Sequence, residues 1–138
     1  MNLLTIEIVT PEKLIYKDEV NEVIVPTVQG EIAILPQHIN LLSQINPGEL
    51  IVKKGSVQQH IAITGGFLQI EDNKVSILAD HAIKAQDIEV AQAQEAKKRA
   101  ERLMQEKTTD NELRIAEAEM LKAILELKVA TRHKRRAI

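Results

Sequence analysis

The sequence predicts an α+β chain: an N-terminal antiparallel β-sandwich over residues 1–84, then a C-terminal two-helix antiparallel hairpin over 85–138. Three observations carry this. All five glycines and all four prolines lie at or before Gly66, so nothing after it interrupts a helix. Ahead of that point, short runs of Ile, Val, Leu and Thr alternate with polar residues; beyond it, small and apolar residues recur three and four apart. Charge divides near the same place, with 6 basic and 10 acidic residues in 1–84 against 12 and 10 in 85–138.

The strands follow in order. Runs rich in aliphatics fall at Leu4–Val9, Glu22–Val25, Ile32–Leu35, Leu50–Lys53, His60–Thr64, Phe67–Ile70 and Val75–Leu78. Turn residues punctuate them: Thr10-Pro11, Pro26, Gln29-Gly30, Asn46-Pro47-Gly48, Gly65-Gly66 and Asp72-Asn73. Ile6 and Ile8 alternate with Thr5, Glu7 and Val9, and Ile61 and Ile63 with Ala62 and Thr64. Such alternation buries one face and wets the other, the pattern of antiparallel pairing. So many short strands in about 80 residues predict two facing sheets. With Tyr16 and Phe67 the only aromatics, the core between them is aliphatic.

The first helix is expected from Asp87 to about Glu106, with Ala93, Ala96, Ala100 and Leu103 on one side. Thr108-Thr109-Asp110-Asn111 breaks the pattern, and Thr109 with Glu112 has the spacing of a capping box. The second helix then carries Leu113, Ala116, Met120, Ile124 and Leu127, flanked by Leu121 and Leu125. Glu95–Arg99 and Glu119–Lys122 have the spacing of same-face ion pairs worth about 0.3 kcal/mol each. Helix one offers mostly alanine, so its apolar contribution is small against the entropy of ordering it. The hairpin is therefore expected to be movable and to need a docking surface.

Composition excludes several functions. A net charge of −2 does not suit a globally basic nucleic-acid binder, and 44% apolar residues do not suit wholesale disorder. With no cysteine, disulfide and thiol chemistry are absent. No apolar run reaches the roughly 18 residues of a membrane span and the N-terminus lacks a signal-peptide pattern, so a soluble or membrane-peripheral chain is expected. His38, His60, His81 and His133 lack ligand spacing, so no metal site is expected. Ser43, Ser56 and Ser76 stand in no nucleophile elbow, and no glycine loop cradles a phosphate. No catalytic residue emerges.

Longer blocks are specific. Gly30-Glu-Ile-Ala-Ile-Leu-Pro-Gln-His38, then Leu41-Leu42 and Asn46-Pro-Gly48, resemble the signature of the epsilon subunit of F-type ATP synthases. Ile63-Thr-Gly-Gly-Phe67, Val75-Ser-Ile-Leu-Ala-Asp80 and the hairpin from Gln86-Asp87 continue the resemblance across essentially the whole chain. The resemblance implies a β-sandwich and helical hairpin at the foot of the rotating central stalk, bound to the gamma subunit and the membrane-embedded c-ring. It implies a non-catalytic subunit that couples proton flow to ATP synthesis on the alpha and beta subunits and restrains ATP hydrolysis when its helices rise. Contact with the membrane is only indirect, on the cytoplasmic face of a plasma membrane or the stromal side of a thylakoid.

The resemblance also assigns residues. Glu31 and His38 fall in the 29–43 stretch that faces the c-ring. Lys128, Arg132, Lys134, Arg135 and Arg136 resemble the basic residues that meet an acidic region of the beta subunit. Some members bind regulatory ATP through Ile/Leu-Asp-x-x-Arg-Ala, and here those positions read Ile88, Glu89, Val90, Ala91, Gln92 and Ala93. Arg99 matches a further ATP contact, whereas Gln92 loses a cation and Glu126 stands where binders carry another, so no cofactor is expected and ATP binding is disfavoured. The competing reading is a free-standing adaptor whose basic hairpin docks on an acidic protein.

Overall fold

A computed structural model of the 138-residue chain describes residues 2–106 and 109–136, without the side chains of 134–136. The chain divides into two compact units, Met1–Lys84 and Ala85–Ile138. The first contains β1 (Leu4–Val9), β2 (Leu14–Val20), β3 (Glu22–Thr27), β4 (Gly30–Ile34), β5 (Leu41–Ile45), β6 (Gly48–Lys54), β7 (Val57–Ile63), β8 (Gly66–Glu71), β9 (Lys74–Ala79) and β10 (Ala82–Lys84). The second contains a 3-10 turn at Ala85–Asp87, then α1 (Val90–Gln105) and α2 (Asp110–Arg136).

Each expected run overlaps a strand, but the strands do not form two separate sheets. They hydrogen-bond in one continuous path, β10-β7-β6-β3-β5-β8-β9-β1-β2, with β4 paired to β3 alone. One strand, β3, joins the two halves. It pairs β6 through Glu22, Val23 and Ile24, and reaches β5 through Thr27. The sheet thus folds over itself around one core. Pairing is antiparallel throughout except between β1 and β9, which run parallel from Thr5↔Lys74 to Val9↔Leu78.

The core is aliphatic, as the composition requires. Leu4, Ile6, Ile8, Ile34, Leu50, Ile61, Ile63, Leu68, Ile70 and Ile77 are fully or almost fully buried. Every member of the core cluster lies between Leu4 and Ala82. Side chains tie β2, one end of the sheet path, to β6 and to β10, the other end. Lys54 on β6 meets Asp18 on β2 at 3.0 Å, and the Lys84 ammonium of β10 sits 5.8 Å from the Tyr16 ring centre on β2. Lys54, with the Glu19 backbone N–H, holds the Asp18 carboxyl below its ordinary range. Burial, then the neighbouring Asp18 charge, pushes the Tyr16 hydroxyl up.

The outer side of β6 and β7 is not uniformly wet. Ala62 is buried beside Ile61 and Ile63, which ends the expected alternation there. His60 Nδ1 lies 2.9 Å from Glu49 Oε1, and both side chains are buried.

In the second unit α1 begins three residues later than expected. Glu89 is its N-cap but makes no side-chain cap bond, and the 3-10 turn takes up Ala85–Asp87. The α2 start is as expected in one arm: Thr109 Oγ1 accepts the Glu112 N–H at 3.2 Å. α1 buries Ala93 and Ala100, seven residues apart, and α2 buries Ala116, Ala123 and Ala130 at the same interval. That seam corrects the expected stripe. Leu103, Leu121 and Ile124 are exposed, while Leu125 and Val129 are buried with the alanines. Neither Glu95–Arg99 nor Glu119–Lys122 closes as an ion pair among the described residues.

Candidate functional site

The first unit presents an exposed apolar face. Register places Gln44, Phe67, Leu78 and Val9 side by side across β5, β8, β9 and β1. One residue pair further along lies Leu42, opposite Gln69. Phe67 is 57% exposed, Leu78 58% and Leu42 75%. The only phenylalanine of the chain thus sits outside the core. Polar Gln44, Gln69 and Ser76 share this side, so the patch is apolar with a polar surround, the make-up of a docking surface.

Next to Leu42 in sequence comes the turn that links β4 to β5. The His38 N–H donates to the Leu35 carbonyl at 3.2 Å, closing a four-residue turn with Pro36 and Gln37 at its centre. Ile39 beyond it is 78% exposed and Leu35 is also exposed. His38 Nδ1 lies 2.7 Å from the Ile39 carbonyl oxygen. A carbonyl only accepts, so Nδ1 carries the proton in the neutral ring and Nε2 is left as an acceptor.

Glu31 is exposed on β4, opposite Pro26. The hairpin that carries it is closed by Thr27, whose hydroxyl donates to the Gly30 carbonyl at 2.6 Å and accepts the Gln29 N–H at 3.2 Å. Gly30 has φ 114°, a backbone that L side chains rarely adopt. Among the described residues the Glu31 carboxylate has neither an ion-pair nor a hydrogen-bond partner. Glu31 and His38 therefore belong to one chain segment but not to one bonded cluster.

The helical candidates divide differently. Lys128 and Arg132 are exposed on α2, four residues apart on one side. Lys134, Arg135 and Arg136 lie on α2, but their side chains fall outside the described residues. At the start of α1, Glu89 and Gln92 are exposed, Ile88 is half-buried and Ala93 is buried. Gln92 and the exposed Arg99 are seven residues apart, two turns and ~10.5 Å along one side of the helix. An open groove of about 680 Å³ along α1 is lined by Glu95, Lys98, Glu101 and Arg102 among others, and by none of these five. Among the described residues no group of three His, Cys, Asp or Glu is placed to hold a metal, and no helix is long and apolar enough to cross a membrane.

Comparison with known proteins decides the family. Residues 3–85 match the ATP synthase delta/epsilon chain beta-sandwich domain, and residues 86–131 match the long alpha-helix domain of the same chain. The chain belongs to the ATP synthase delta/epsilon family. Relatives named ATP synthase epsilon chain include one from Dehalococcoides mccartyi, 39% identical over 98% of this chain and 97% of the relative. Another, from Halalkalibacterium halodurans, is 38% identical over 96% of this chain and all of the relative. A chain in the mitochondrial ATP synthase of Euglena gracilis superposes with TM-score 0.66 at 20% identity, covering 100% of this chain and 83% of that one. One from the central stalk and c-ring of the Tetrahymena thermophila enzyme gives 0.57 at 16%, covering 91% and 95%. These two show a common fold.

Sequence reasoning missed the Phe67–Leu78–Leu42 face and the side chain of Asn73. The first left a trace: a lone Phe in a chain otherwise built from aliphatics. The second left only an Asp-Asn turn.

Proposed function

We propose that the chain is the epsilon subunit of an F-type ATP synthase, a non-catalytic central-stalk component that couples proton translocation to ATP synthesis and restrains ATP hydrolysis. The observation that carries this is the match of both domains, in order, to one family over residues 3–131. The sandwich takes gamma on its apolar β5–β8–β9 face and meets the c-ring with the 29–43 segment, through Glu31, His38 and the exposed Leu35 and Ile39. Lys128, Arg132 and the basic residues 134–136 contact the beta subunit when the helices rise. Full-length relatives from bacteria favour the cytoplasmic face of a plasma membrane over a thylakoid.

Reconstitution tests the reading. Added to a synthase stripped of its own epsilon-type subunit, the full chain is expected to co-isolate with gamma in equal amount and to restore proton-coupled ATP synthesis. A chain that stays unbound, or binds without restoring coupling, would refute it.

A further inference from the structure

We propose that Asn73, at the turn between β8 and β9, is a positioning residue that locks the conformation of the 35–38 turn and so presents Leu35 and Ile39 to the ring. The functional half of this rests on the ring-facing assignment above. Two distant segments, the N-terminal stretch at Leu3–Thr5 and the turn at Gln37, meet on this one residue. The Gln37 N–H donates to Asn73 Oδ1 at 2.8 Å, and Asn73 Nδ2 donates to the Leu3 carbonyl at 2.8 Å. The Thr5 N–H donates to the Asn73 carbonyl at 3.2 Å. One partner can only donate and another only accept, so the orientation of the side-chain amide is settled.

The 35–38 turn explains why such a clamp is needed. Pro36 stands at its second position, and Gln37 at its third has φ 65°. Positive φ there marks a type II turn, which ordinarily places Gly or Asn at that position. Gln37 is neither, so it holds a backbone that costs it energy. The peptide between Pro36 and Gln37 is the group whose flip separates type II from type I, and its N–H is the one Asn73 grips. Without the clamp the turn is free to relax to type I, which suits Gln and re-aims the chain on either side. Asn73 meets all these demands together: it tolerates its own φ of 61°, donates, accepts, and reaches no further than it must.

The test separates the clamp from the fold. Asn73→Gly leaves an Asp-Gly pair, a favoured type I′ hairpin turn, so β8 and β9 remain paired while the side chain is lost. NMR on the full chain should show exchange of the Gln37 amide roughly five- to tenfold faster, as one intramolecular hydrogen bond is lost. Asn73→Asp keeps an acceptor for Gln37 and should keep that amide protected. In the reconstituted synthase Asn73→Gly should lose coupled ATP synthesis, and adding Gln37→Gly, which accepts positive φ freely, should restore it. An unchanged Gln37 amide in Asn73→Gly would overturn the clamp. Exposure of that amide with coupling intact would overturn its functional role. Ile39→Ser serves as the control for the surface itself: if coupling survives that change, the ring-facing assignment fails independently of Asn73.

Discussion

Single residues set how closely neighbouring strands approach and what joins distant ones. Gly66 has φ 150°, and a Cβ there would run into the Leu78 carbonyl oxygen and come within 2.9 Å of the Ala79 Cα. Gly66 is therefore required for close approach of β8 to β9, while Gly65 beside it is required only by its φ of 137°. At the other end, Asp18 ties β2 to β6 through Lys54. Because the folded carboxyl titrates below its ordinary value, the folded state binds fewer protons than the unfolded one over that interval. The resulting stabilisation is complete above the unfolded value near pH 4 and is lost as pH falls through the lowered folded value. Asp18→Asn should therefore flatten the acid side of the stability profile, while denaturant unfolding at neutral pH reveals only the small loss of an exposed pair. An acid limb of unchanged steepness would show that other carboxylates set it.

At the scale of elements, the legible strands are those whose one face is buried, such as β1, where Leu4, Ile6 and Ile8 point inward. β2 and β10 are the ends of the sheet path, and β2 carries Lys17-Asp18-Glu19 where an inner strand would alternate. Edge strands are blunted with charge, which is what hid this one. In β5, Leu41 and Leu42 sit on opposite faces, so the run has no readable phase. The helices were legible in existence but only partly in rotation: Ala93, Ala100 and Ala116 are buried as expected, but on α2 the rest of the buried side is Ala123, Leu125, Val129 and Ala130 instead of Ile124 and Leu127. An alanine methyl contributes about 0.8 kcal/mol on burial, well below a leucine. At the head of α1, the positions that the family resemblance assigns to ATP carry the anion Glu89 and the neutral Gln92, which we propose disfavour a triphosphate. Titration calorimetry should find ATP binding weak or absent, and Glu89→Asp with Gln92→Arg should strengthen it. Tight binding by the unaltered chain would mean these two departures do not matter.

At the scale of the whole molecule, the boundary is the most legible feature. Glycine and proline end at Gly66, and the two compact units divide after Lys84. Docking surfaces were less legible, because an outward Phe67 and a bridging Asn73 become visible only once register and turn geometry are known. The core cluster lies wholly within residues 4–82, so truncation after Lys84 removes none of its members. A fragment of 84 residues is also above the size at which a single core becomes marginal. It should unfold cooperatively on its own, join gamma and the ring, and support ATP synthesis. The same truncation removes the basic end of α2, and the contact we propose for it with an acidic partner would be electrostatic and thus weakened by salt. Hydrolysis in the reconstituted enzyme should accordingly be faster with residues 1–84 than with the full chain, and the difference should shrink as ionic strength rises. Replacing Lys128, Arg132, Arg135 and Arg136 by alanine in the full chain should reproduce the release. If the truncated and full chains restrain hydrolysis equally, the helices are not the inhibitory element; if only the charge variant fails to release it, the contact is apolar and lies with the exposed Leu121 and Ile124 instead.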